Sequence, residues 1–277
     1  MKLLPYQPRR RVPWSGWDIL LVLLFFFLAS SSVSFVLRAV LPAEWTRTVT
    51  IGPLETSAGE HPAMRLLRGA DFGVFLAVAV VVVVVAPVAE EFFFRVLLQG
   101  WLEALQRRYR RQMPTLRRIA PGAAGPIVLT SLLFGGMHLR GDSPPQRPEY
   151  LLAMLAAQAG VYLCTLVFAV GLMRLKAGAT AADLGWAPAK LLADVRLGLA
   201  AFMALAIPIY LLQFVIAWRL SAWRLPRNMA DPVTLFFFAL ALGILYHRTH
   251  RIAPSLVVHV ALNATSLAMA WWLVGGK

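Results

Sequence analysis

Long runs of apolar residues, broken by short segments rich in arginine, proline and glycine, pattern almost the whole chain. At about 1.5 Å per helical residue, roughly 20 consecutive apolar positions cross a ~30 Å hydrocarbon core. On that measure the sequence predicts an all-α, polytopic transmembrane helix bundle. The spans fall near residues 17–41, 72–105, 120–138, 150–173, 196–218, 232–247 and 253–274, about seven, or eight if the longest divides. The first follows Arg9, Arg10 and Arg11, and its core from Ile19 to Ala29 followed by Ser30 to Ser32 has the outline of a signal peptide. Apolar character continues to Leu41, so an uncleaved signal-anchor is the expectation. Residues 42–71, with Glu44, Glu55, Glu60 and several turn formers, read as an external loop. The chain thus divides into residues 1–71, a basic tail with one span and a loop, and residues 72–274, the main bundle.

Composition agrees. Hydrophobic residues make up 59%, charged residues only 14% and the mean hydropathy is +0.68, against about 25% charged in soluble domains. A net charge of +14 raises nucleic acid as a partner. The basic residues, however, fall in short runs between apolar spans, with no nucleic-acid-binding motif beside them, and they read as topology signals in a bilayer. Placing the N terminus in the cytoplasm assigns sixteen of the 27 Lys and Arg residues to the inner segments 1–16, 106–119, 174–196 and 247–252. The predicted location is therefore a cell membrane, that of a bacterium, with the N terminus inside. Arg107, Arg108, Arg110, Arg111, Arg117 and Arg118 form the strongest of these signals, read as an anchor at anionic headgroups. Cys164, the single cysteine, sits in an apolar run, which excludes an intrachain disulfide and disfavours a catalytic thiol.

Against that background, Glu90, Glu91 and Arg95 stand out in an apolar stretch interleaved with Phe92, Phe93 and Phe94. A charge at the centre of a membrane helix costs roughly 2.5–3.5 kcal/mol on insertion scales, so such a cluster is a functional candidate by default. Glu91 and Arg95 are four apart with the acid first, the favourable order for an ion pair along one helix face. Glu90 lies ~100° round the helix and has no such partner. It is the candidate general base. Two further elements follow: Phe134 with His138, and His259 with Asn263, each pair spaced four apart and hence on one helix face. One acid and two imidazoles from three helices make a hydrolytic site. His247 and His250, beside Arg248 and Arg251, read as residues of a solvated basic turn, and His61 as a loop residue. Ser131 has no His and second carboxylate placed to form a serine triad.

The three elements, in the order Glu90-Glu91-x3-Arg95, Phe134-x3-His138 and His259-x3-Asn263, resemble the CPBP family of intramembrane proteases, which includes the CAAX prenyl endopeptidases of the Rce1 type. The resemblance covers roughly residues 72–274. It implies an endopeptidase acting on a membrane-embedded or lipidated protein or peptide, with Glu90 activating water. His138, His259 and Asn263 would hold the water or a metal and stabilise the oxyanion, and Glu91 with Arg95 would be a structural pair. A metal, zinc by ligand type, held by Glu90, His138 and His259, and a metal-free site both fit the residues, since no His-Glu-x2-His helix is present and Asn263 is a poor zinc ligand.

The chain departs from the family in one respect. About three spans, rather than about one, separate the two histidine elements, and the segment near residues 182–231, which opens with Asp183-Leu-Gly-Trp186, reads as an insertion. Depth presents a second difficulty. Counted from the inner loops, His138 lies about 27 Å along its helix and His259 only about 10 Å along its own, so the site requires tilt, a kink near Pro87 or helices that overhang the inner face. A transporter, with the polar groups lining an ion path, and a non-catalytic scaffold are the alternatives that the same residues allow.

Overall fold

The computed structural model describes residues 12–46, 66–67, 71–112, 122–139, 147–223 and 230–274. Most of the expected external loop, with His61, lies outside the described residues, as do Arg9 to Arg11, Arg117, Arg118 and the arginine side chains beyond Tyr109. The described residues contain helices and no strands. We label them α1 (Gly16–Val40), α2 (Ala43–Thr46, one turn), α3 (residues 72–112), α4 (Ala124–Met137), α5 (Pro148–Leu175), α6 (Leu191–Ala222), α7 (Ala230–Thr249) and α8 (Ile252–Val274). Polar residues mark where several of them start. Ser15 precedes α1, with its N–H donating to Asp18 Oδ2 at 2.8 Å. Asp71 caps α3 by accepting from the Val74 N–H at 2.9 Å. Pro148 occupies the first turn of α5, where its missing N–H costs nothing.

Among the described residues, six helices are long and apolar enough to cross a membrane, and they fall where six of the seven spans are expected. The span expected at 120–138 is corrected to the 14 residues of α4, about 21 Å and short of a ~30 Å core. The apolar run there includes Pro121 and Gly122. Gly122 adopts φ +62°, a conformation outside the helix, so α4 starts only beyond it.

Helix α3 is the opposite case, with 38 apolar-rich residues from Phe72 to Tyr109. It is not uniformly α-helical, since Val80–Val85 and Phe92–Gln99 are π-helical, the form in which hydrogen bonds skip five residues instead of four. Pro87 explains the first stretch. The Ala86 N–H bonds back to the Val81 carbonyl, five residues away; the next donor in that register, for Val82, would be residue 87, which has no N–H. The kink expected near Pro87 is thus a π-helical turn that leaves the Val82 carbonyl without a donor along the helix.

Ion pairs and hydrogen bonds tie three of the segments deduced as inner from charge to the helices around them. Lys176, just past α5, pairs with Asp18 of α1 at 2.6 Å, and the Trp14 indole N–H donates to the Leu97 carbonyl of α3 at 3.1 Å. Arg251 pairs with buried Asp194 of α6 at 2.7 Å. The Gly185 carbonyl accepts the Ile252 N–H at 3.0 Å, so the Asp183-Leu-Gly-Trp186 turn supports the first turn of α8. Helices α1 and α5 run antiparallel with Phe25 stacked on Phe168, ring centroids 4.4 Å apart.

Two close crossings rely on glycine. A Cβ on Gly135 of α4 would lie 2.6 Å from the Pro232 carbonyl oxygen of α7, and one on Gly198 of α6 would lie 2.6 Å from Val257 Cβ of α8. Helix α6 therefore packs on α7 and α8, with Met203, Ile207, Phe214 and Trp218 exposed on its far side as apolar surface suited to lipid.

Candidate active site

Packing the helices around α7 brings the three sequence elements together. Glu91 and Arg95 are both fully buried, with Arg95 Nε 3.4 Å from Glu91 Oε2. This is the i, i+4 pair expected from spacing. The other carboxylate oxygen of Glu91 faces α8, with His259 Nδ1 3.2 Å from Oε1. The opposite edge of the same ring faces Glu90, with Nε2 3.7 Å from Oε2. One imidazole thus bridges the two neighbouring glutamates. A carboxylate only accepts, so Nδ1 carries the hydrogen in the bond to Glu91, and Nε2 is the ring nitrogen that faces Glu90. Nothing in the sequence spacing indicates the contact between His259 and Glu91, because it joins residues on different helices.

Phe134 is completely buried at the hub of the site. Its ring lies 5.8 Å from that of His259, 4.9 Å from that of His138 and 5.2 Å from that of Phe94, and the Arg95 guanidinium carbon stands 5.7 Å from its centroid. Phe238 of α7 closes the far side of His259 at 5.4 Å. His138 is half-buried just past the end of α4, and its Nδ1 donates to the Phe134 carbonyl at 2.8 Å. That bond leaves Nε2 as its outward nitrogen. Asn263, one turn beyond His259, donates Nδ2–H to the Val82 carbonyl at 2.9 Å, the acceptor that Pro87 leaves open. It therefore ties α8 to the π-helical turn of α3 and keeps its second amide N–H. Ser131 is buried and donates back to the Ile127 carbonyl at 2.7 Å, an ordinary helix contact that occupies its hydroxyl.

The elements meet although α4 is shorter than a full span. Gly125 lies alongside Gln106, 3.7 Å from its amide nitrogen for a Cβ built there, on the stretch of α3 beyond Glu103, and toward the other end of α4 the Phe134 ring stands against that of His259.

A cavity of about 90 Å³ opens next to Glu90. Phe26, Phe27, Phe93, Met137 and Leu166 are among the side chains of α1, α3, α4 and α5 that line it, and Glu90 is its one charged lining residue. Helix α6 contributes nothing to this wall.

The possible metal set behaves differently from the ion pair. Among the described residues, one group of three His, Cys, Asp or Glu side chains brings its ligand atoms within 4.8 Å of one another, and it is Glu103, His247 and His250. Glu90, His138 and His259 do not gather so closely. The reading of His247 and His250 as solvated is corrected as well. His250 is 9% exposed and the His247 side chain 19%, because the end of α7 turns under α3, against Glu103. A spacing of four running through Glu91, Arg95, Gln99, Glu103 and Arg107 is the sequence signal that marks this buried polar face.

No curated protein and no solved structure matches the chain significantly. The model of the Rce1-like type II CAAX prenyl endopeptidases matches residues 72–265, a range that contains the glutamate pair, both histidine elements and α6. With most of its length matched, this chain belongs to the Rce1-like family of type II CAAX prenyl endopeptidases.

Proposed function

We propose that the protein is an intramembrane endopeptidase that hydrolyses a peptide bond with water activated by Glu90. The observation that carries this is the His259 ring held between Glu91 and Glu90, with Nε2 3.7 Å from the Glu90 carboxylate. A water hydrogen-bonded to both acceptors would have its oxygen directed at a carbonyl carbon entering from the cavity. As the water oxygen attacks, Glu90 takes one of its protons and the carbonyl electrons move to oxygen. The second N–H of Asn263 is available to that oxyanion. Collapse of the tetrahedral species breaks the C–N bond, and the proton on Glu90 passes to the departing amine. His138 supports the same water or substrate through Nε2. Zinc would suit imidazole and carboxylate ligands, but these three side chains do not converge as a ligand set, and no step here uses a metal.

The cavity supports the substrate class. Its walls are aromatic and aliphatic, and it meets the reacting carboxylate, as suits a hydrocarbon group attached near the scissile bond. In a cleavage assay with purified protein, a lipidated membrane-anchored peptide should be cut at least tenfold faster than the same peptide without its lipid. Leu166→Trp, which fills the cavity, should erase that difference. Equal rates on both peptides in the unaltered protein would remove the lipid from the reading, and no cleavage of any anchored peptide would remove the protease.

We also place the helix ends that carry the Asp18–Lys176 and Asp194–Arg251 pairs in the cytoplasm. A single cysteine at Lys176 in a Cys164→Ser background should react with a membrane-impermeant maleimide only after the membrane is opened. Labelling of intact cells would reverse the orientation.

A further inference from the structure

We propose that Glu103, His247 and His250 form a binding site for a divalent transition metal of the zinc class, separate from the catalytic centre. The three potential ligand atoms already lie within 4.8 Å of one another, and His247 Nδ1 is 3.2 Å from Glu103 Oε1. In a tetrahedral site with bonds of about 2.0–2.2 Å, ligand atoms stand about 3.3–3.6 Å apart. The pair is within about 0.1 Å of that spacing, and side-chain rotation covers the remainder.

The backbone supports the assignment. Among the described residues, His250 is the one non-glycine residue with positive φ, at 49°, immediately after α7, where its N–H bonds to the Tyr246 carbonyl. Helices that end this way usually place glycine at that position, because it adopts the left-handed conformation at no steric cost. A histidine held there, 9% exposed and turned toward a buried carboxylate, is backbone strain spent on a side chain. The carboxylate is itself supported from behind. Gln99 Nε2–H donates to Glu103 Oε1 at 3.0 Å and to the Gly243 carbonyl at 2.9 Å, the kind of outer hydrogen bond that orients a metal-ligating carboxylate.

Two imidazoles and one carboxylate select zinc, cobalt or nickel over calcium or magnesium, which prefer all-oxygen sites. A fourth position is left for water. Arg107, 3.6 Å from Glu103 Oε2, is 40% exposed and can swing outward. The ion would pin the inner end of α3 to the end of α7. Glu103 is thirteen residues from Glu90, about 20 Å along α3, so the ion takes no part in attack on the peptide. The Glu91, Arg95, Gln99 and Glu103 side chains, all buried, join the two places along one helix face.

The test uses the full chain in detergent, stripped with a chelator and titrated with Co²⁺. One equivalent per chain should bind with the intense visible absorption of four-coordinate cobalt, and zinc should displace it. His247→Ala and His250→Asn, the latter keeping a residue that tolerates positive φ, should each weaken binding at least tenfold and abolish that spectrum. His138→Ala and His259→Ala should leave stoichiometry and spectrum intact while hydrolysis falls. Absence of stoichiometric binding in the unaltered protein overturns the proposal, as does binding that survives the His247→Ala, His250→Asn double variant. Loss of cobalt from folded His138→Ala or His259→Ala protein also overturns it, and would move the ion to the catalytic centre.

Discussion

Glu90→Gln should lower hydrolysis of a membrane-anchored peptide by 10²–10⁴-fold, the range typical of a lost general base, while the yield and melting temperature of the protein stay unchanged. The substitution is nearly isosteric. Glu90 borders the cavity, and its carboxylate stands 3.7 Å from His259 Nε2, beyond a short ion pair. A neutral amide in its place removes the proton acceptor and leaves packing alone. His259→Ala should cost activity on a similar scale, because the same ring places Nε2 beside the Glu90 carboxylate. Activity within threefold of the unaltered protein in Glu90→Gln would remove the glutamate from the mechanism and favour a transporter or scaffold role for the bundle.

The largest effect on stability belongs to Arg95. Arg95→Met, which conserves much of the volume, should cut the yield of folded protein severely and lower its melting temperature. It leaves Glu91 charged at zero exposure, and removing one partner of a buried pair costs about 3–5 kcal/mol. That is a large part of the 5–15 kcal/mol typical of a folded domain. The guanidinium has few alternatives of its own: apart from Glu91 and the face of Phe134, its nitrogens have no hydrogen-bond partner among the described residues. Glu91→Gln should behave similarly and should also slow catalysis, since Glu91 Oε1 holds His259 Nδ1. The double variant Glu91→Gln, Arg95→Met should recover much of the yield but not the activity, because the charge imbalance is gone while His259 has lost its carboxylate. Normal yield and stability in Arg95→Met would show that the pair is not what holds α3 in place.

Helix identity and number were legible because hydrocarbon thickness fixes the length of an apolar run, and six of the seven expected spans are long helices at those places. Helix α4 was read too long. Hydropathy does not register backbone conformation, and Gly122 leaves the helix while remaining apolar in character. The ion pair of Glu91 with Arg95 was legible because its partners share one helix, where a spacing of four is a distance.

Local geometry therefore let the sequence alone determine an all-helical membrane bundle and three chemical elements that carry family membership. The tertiary fold decided which residues of different helices touch. It turned His259 so that one ring meets both glutamates, sent Asn263 to the carbonyl that Pro87 leaves open, and started α4 beside Gln106 so that Phe134 packs against His259. It also buried His247 and His250 against Glu103, residues that a one-dimensional reading places in a solvated turn. Periodicity specifies a helix face; where another helix lies against that face depends on packing among glycines, aromatic rings and π-helical turns, which no spacing within a single segment encodes.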